Sequence, residues 1–433
     1  MPPTLPSPKF EIVRHTLDNG LRVLVAPDRS APVVGIAVLY DVGFRSEPEG
    51  RTGFAHLFEH LMFQGSVNLE KLEHFRYVES SGGTFNGSTH FDYTNYFEAL
   101  PANALERGLF LEADRMRGPR ITEENLANQL DVVKNEIRVN VLNAPYGGFP
   151  WIYLPPVLFD TFANSHNGYG GFEDLESATT DDARDFFQRY YAPSNAVLSV
   201  AGDLDADETI ALIEKHFGDI KKRRAPKRPS FAEPPLTSER RNTHDDAHAP
   251  IPAVAVGYRV PDPVGQLDEL LAVVVLAEVL TDGDASRLQR RLVHQDRLVT
   301  AVEAYVGEFG DPFDERDPTA LTISAHYPSA TKLDAVLSAV DEELAKVAGD
   351  GLARGELDRV RTRLVSVLVR DLDAVLSRTL EFAKFELVHG RAELIFELSE
   401  RLAAVTGEDV QRAASLFRPD NRAVLELVAG GAE

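Results

Sequence analysis

The chain has no cysteine among its 433 residues, one tryptophan and three methionines. Without thiols it can form neither disulfides nor thiolate metal sites, so any bound metal must rest on His, Asp or Glu. Positive charge is also scarce: 45 Lys and Arg stand against 68 Asp and Glu, a formal net charge of −23. That field would repel a polyanion and argues against nucleic acid as a partner, whereas it suits a basic or neutral peptide. No run of about 18 uncharged apolar residues occurs, so no membrane span is expected. The opening MPPTLPSPKF has neither a basic nor an apolar stretch and does not read as a signal peptide, which makes the cytoplasm the expected location.

What is present is a chain that is 43% hydrophobic and too long for one ordinary core. "LRVLVAP" and "VVGIAVLY" read as strands, followed by a helix from about Thr52 and Gly- and Thr-rich strand material from Ser80 to Leu100. Helices are expected from Ala102 to Arg117, Glu123 to Val141 and Thr180 to Tyr190, then a strand at "NAVLSVAG". From Asp219 to Pro252 the chain is rich in Pro and charge, and its KKRRAPKR run reads as solvated linker. Beyond it the order repeats, with "AVAVGYRV" a strand and "ELLAVVVLAEVL" a helix. "APSNAVLSVAGD" (192–203) and "RPDNRAVLELVAGG" (418–431) close the two halves in the same way. The expected architecture is α+β: two homologous α/β-sandwich halves, 1–222 and 249–433, joined by a linker at 223–248.

Within "FAHLFEHLMF" (54–63), His56 and His60 lie one helical turn apart, about 40° around the axis, and Glu59 lies about 60° to the side. Leu57, Phe58 and Leu61 would anchor the opposite face. His-x-x-Glu-His is the inverted zincin pattern, or inverzincin, although two hydrogen-bonded core histidines would give the same letters. A hydrolytic zinc site needs a third ligand from another element. In "ENLANQLDVVKNEIRVNV", Leu126, Leu130, Val133 and Ile137 form an apolar stripe bordered by Gln129 and Glu136. Glu136 is a candidate, and a surface ion-pairing residue is the alternative.

In combination, "RTGFAHLFEHLMFQGS", "GGTFNGSTHFDYTNYF", "NQLDVVKNEIRVNV" and "YYAPSNAVLSVAGD" resemble the M16 metallopeptidases, which include pitrilysin and the mitochondrial processing peptidase. The resemblance is close over the first half and looser over the second. It implies one Zn2+ per chain held by His56, His60 and Glu136, with Glu59 as general base. It further implies that Asn86, with Gly83, Thr84 and Phe85 beside it, forms an edge to which an extended peptide adds as a strand. Gln129 stands where several relatives have a Glu that orients the site.

Active members of the family also carry an Arg and a Tyr, seven residues apart, in the second half. Read from the Ser286-Arg287-Leu288 landmark, those positions fall on Val293 and Thr300. Seven residues before Tyr258, Tyr305 and Tyr327 stand Ile251, Leu298 and Ala320, so no other register restores the pair. The resemblance therefore implies a zinc endopeptidase of short unstructured peptides working in a closed chamber. The expected assembly is a heterodimer with a paralogue that lacks zinc ligands and brings the Arg and Tyr. A homodimer, and a non-catalytic scaffold or peptide-binding subunit, are the alternatives.

Overall fold

The computed structural model describes residues 9–430. The first half begins with β1 (Val13–Thr16), β2 (Arg22–Pro27), β3 (Val33–Tyr40), α1 (Phe54–Leu61), α2 (Glu73–Ser80), β4 (Thr84–Thr89) and β5 (Thr94–Pro101). Next are α3 (Leu105–Arg117), α4 (Glu123–Ile137), the short α5 (Pro155–Leu158), α6 (Phe162–Ser165) and α7 (Phe172–Glu176), then α8 (Thr180–Tyr190), β6 (Ala196–Gly202) and α9 (Ala206–Phe217). The second half has β7 (Arg240–Asp246), β8 (Ala253–Arg259), α10 (Leu267–Thr281), β9 (Ala301–Val306), β10 (Ala320–His326) and α11 (Leu333–Asp350). It ends with α12 (Glu356–Asp371), α13 (Val375–His389), α14 (Leu394–Ala404), α15 (Gly407–Leu416) and β11 (Ala423–Ala429).

The expected repeat is explicit in the sheets. The first runs β1-β2-β6-β3-β5-β4 and the second β7-β11-β8-β10-β9. After the extra β1 the two orders coincide, each with one parallel pair (β2 with β6, β7 with β11) and antiparallel pairs elsewhere. The same local chemistry closes each half. Thr179 and Asp182 form a capping box that opens α8, and Thr406 and Asp409 form one that opens α15. A 3-10 turn, Pro193–Asn195 or Pro419–Asn421, then leads into β6 or β11.

Two expectations need correction. The stretch 223–248 is not all linker, because β7 lies inside it and pairs along β11. Its sequence, RRNTHDD, sits at a sheet edge with mostly exposed side chains, so it carries no apolar alternation to read. The helix expected to reach Val141 ends at Ile137 and continues as a wider π-type turn over Arg138–Leu142.

Each sheet is covered on one face by its own half and on the other by its neighbour. Val34, Ile36, Val38 and Tyr40 of β3 face the core under α1 and α3, while Ala37 and Leu39 face the core that contains Phe382 and Phe385 of α13. Helix α13 packs on β3 and β6, and α5 of the first half packs on β7, β8 and β11. Close approach is built in: a Cβ on Gly35 would lie 2.4 Å from Thr379 Oγ1, and one on Gly257 3.0 Å from Leu154 Cδ2. Covering both faces explains why β3 and β8 read as continuous apolar runs.

Buried charges also join the halves. Arg45 donates to Asp92 at 3.0 Å and to the Pro318 carbonyl at 2.6 Å. Asp92 accepts from the Arg316 amide at 2.6 Å, and Asp314 accepts from His90 and Tyr93, each at 2.8 Å. Arg45 and Asp92 form a buried ion pair and the Asp314 carboxylate is hydrogen-bonded on both oxygens, the condition for tolerating burial.

Under β5 a second group is less well matched. Glu98 is fully buried with neither oxygen hydrogen-bonded, 4.0 Å from His74 and near the Glu112–Arg115 pair. Burial, then the Glu112 charge, pushes the Glu98 carboxyl up to about 8. The folded state therefore keeps a proton that the unfolded chain loses above its ordinary value, and stability falls as pH rises from there towards 8. Glu98→Gln is expected to flatten the decline in Tm between pH 5.5 and 8.5, measured by thermal denaturation. An unchanged decline would contradict this protonation.

Candidate metal centre

Helix α1 is held by its ends and its apolar face. The Glu47 carboxylate accepts from the Gly53 and Ala55 amides at 2.9 and 2.7 Å, satisfying donors at the helix start. Gly53 has φ +84°, and a Cβ there would lie 2.6 Å from the Tyr169 carbonyl. Leu57, Phe58 and Leu61 are fully buried. With that face fixed, His56 and His60 emerge together, their Nε2 atoms 3.3 Å apart.

Glu136 approaches from the last turn of α4, with Oε1 3.8 Å from His56 Nε2 and Oε2 3.4 Å from His60 Nε2. Tetrahedral zinc with bonds of about 2.0–2.2 Å separates its donor atoms by about 3.3–3.6 Å. The donor set suits zinc, and two of the three spacings match it, while the 3.8 Å from His56 to Glu136 needs a small side-chain shift. Tyr169, in the loop before α7, donates to Glu136 Oε1 at 2.9 Å and sets its ring 4.8 Å from that of His56. Gln129, two turns before Glu136, is buried. Its amide donates to Asn128 Oδ1 at 2.8 Å.

Glu59 points to the neighbouring strand, where Thr89 Oγ1 donates to its Oε2 at 2.8 Å. A Cβ on Gly87 would lie 3.3 Å from Glu59 Cγ, so the missing side chain lets β4 pass close to the site. Burial raises the Glu59 carboxyl against the Thr89 bond and nearby His60, towards the range useful for a base. Burial and neighbouring His60 lower His56 to about 4, which keeps it neutral, the form a metal ligand requires. The His60 hydrogen bond lowers Glu136 despite burial, keeping it ionised.

Strand β4 is an edge of its sheet, paired only with β5. Thr84 and Asn86 are exposed, and Asn86 Oδ1 accepts from the Gly87 amide at 2.9 Å. Phe85 instead turns into an aromatic cluster, 4.7 Å from Phe75 and 5.7 Å from Phe63. Gly83 has a packing role, since a Cβ there would meet Leu100 at 2.4 Å. The second half brings neither Val293 nor Thr300 to the metal ligands: Val293 packs on its own core, and Thr300 bonds the His326 carbonyl. Sequence reasoning missed Thr89 and Tyr169. Thr89 lies in the strand stretch quoted above but far in sequence from the Glu59 it serves, whereas Tyr169 lies in a Gly-rich loop without periodicity.

The profile described as "Insulinase (Peptidase family M16)" matches residues 22–145, and "Peptidase M16 inactive domain" matches 177–364. The chain belongs to the M16 peptidase family. It is 28% identical over 426 residues to "Zinc protease PqqE" of Helicobacter pylori, covering 96% of this chain and 91% of that protein. It is 27% identical over 417 residues to "Uncharacterized zinc protease YmxG" of Bacillus subtilis, covering 94% and 96%. The crystal structure of a protease from H. pylori superposes with a TM-score of 0.89 at 26% identity, covering 97% of this chain and 99% of that one.

Tyr169→Phe deletes the hydroxyl that orients Glu136. Zinc affinity measured by chelator competition is expected to fall about 10- to 100-fold with the fold intact. An unchanged affinity would remove Tyr169 from the support of the site.

Proposed function

We propose that the chain is a zinc-dependent endopeptidase acting on short, extended peptides. The observation that carries this reading is the convergence of His56, His60 and Glu136 beside Glu59 and the open edge of β4. Zinc held there would polarise the scissile carbonyl and acidify the attacking water. Glu59, fixed by Thr89, takes that water's proton and returns it to the leaving amine. Asn86 and the β4 backbone hold the peptide as an added strand. The net charge of −23 favours basic peptides such as targeting or leader segments.

The chain's own second half supplies no Arg and Tyr, donors of a kind worth about 3 kcal/mol each towards a developing oxyanion. We therefore assign it the zinc-bearing place in a heterodimeric chamber, with a paralogue supplying that pair, and a homodimer as the alternative. The match to the inactive-domain profile supports a split between zinc-bearing and zinc-free halves, since it falls on 177–364, away from the ligands. The expected setting is the cytoplasm. Among the described residues no helix is long and apolar enough to cross a membrane.

A quenched extended peptide of about 20 residues tests the reading, with the chain assayed alone and co-expressed with an M16 paralogue. Glu59→Gln should lower hydrolysis by at least about 100-fold. Activity confined to the mixture supports the heterodimer. Robust Glu59-dependent activity from the chain alone would sink the division of labour, and no Glu59-dependent hydrolysis in either setting would favour the scaffold.

A further inference from the structure

Among the described residues no polar group of the second half bonds His56, His60 or Glu136, but one aromatic ring of that half stands near them. Phe309, in the loop between β9 and β10, remains 43% exposed despite its size. Its ring lies 5.6 Å from Trp151, which is 5.3 Å from Tyr169, the residue bonded to Glu136. It also stands 6.1 Å from His90 and 5.3 Å from Phe91, immediately beyond the end of β4.

This loop is rigidly held. Gly307 and Gly310 have φ of +96° and +84°, and a Cβ on Gly307 would lie 2.3 Å from the Asp311 carbonyl oxygen. The Glu308 amide donates to Glu315 at 3.0 Å, while Asp314 is bonded by His90 and Tyr93 of the first half. Phe309 is thus held beside the residues that follow β4. The aromatic cluster of Phe63, Phe75 and Phe85 lies towards the other end of that strand.

We propose that Phe309 and Trp151 form a subsite for a large apolar or aromatic side chain of the peptide. The inference rests on the peptide-binding reading above. Tyr169, Trp151 and Phe309 succeed one another at ring spacings of about 5–6 Å, and an extended strand rises about 3.3 Å per residue. The side chain taken up therefore belongs to a residue within about four positions of the scissile bond. The second half contributes to selecting the peptide, while the metal-binding half performs the chemistry.

Trp151 is the only tryptophan, so its emission reports on this subsite directly. The zinc-loaded full chain carrying Glu59→Gln would be titrated with an Ala-rich peptide and with versions bearing one Phe at successive positions. One Phe position should bind about tenfold or more tighter and shift Trp151 emission, as burying an aromatic side chain predicts. Phe309→Ala should remove that gain while leaving affinity for the Ala-rich peptide unchanged, and Phe309→Leu should restore most of it. Equal weakening of both peptides, no preferred Phe position, or a change in assembly mass with Phe309→Ala would overturn the proposal. A preserved Phe preference without hydrolysis in the native chain would count against the peptidase reading and leave the subsite standing.

Discussion

The fold depends on each sheet borrowing a cover from the other half. With α13 laid across β3 and β6, and α5 across β7, β8 and β11, neither sheet can bury its second apolar face alone. Burial of apolar area is the main favourable term in folding, so the halves are obligate partners within one chain. The ionic contacts around Arg45, Asp92 and Asp314 then fix their relative position. Because of that fixed position, a loop from the second half can stand beside the end of β4 at all.

The metal centre inherits its order from this frame. Leu57, Phe58 and Leu61 lock the rotation of α1, Glu47 satisfies its first amides, and the two histidines can then point only outward together. Glu136 is aimed by Tyr169, and Glu59 by Thr89. Each functional side chain has its own support from a different element, the arrangement expected of a preorganised site.

Much of this was legible in the sequence. The i, i+4 histidines with an intervening Glu could be read because helical periodicity alone puts them on one side, and the repeat could be read from its matching ends. Tyr169 could not, since its position depends on a loop whose path is set by Gly53 and its neighbours. Nor could β7, whose edge location lets charged residues occupy a strand. The crossing of α13 onto the first sheet escaped because an apolar helix face does not say which sheet it will cover. Phe309 carries no sequence pattern that marks it, since only the packing of the halves sets it against Trp151.

The peptidase reading turns on whether His56, His60 and Glu136 hold one zinc ion. It is tested most directly by metal analysis of the native chain, His60→Ala and Glu136→Ala after gel filtration. The expected result is one zinc per native chain and its loss from both variants, with circular dichroism unchanged. A native chain without zinc, or variants that retain it in full, would rule out a metal site at these three residues.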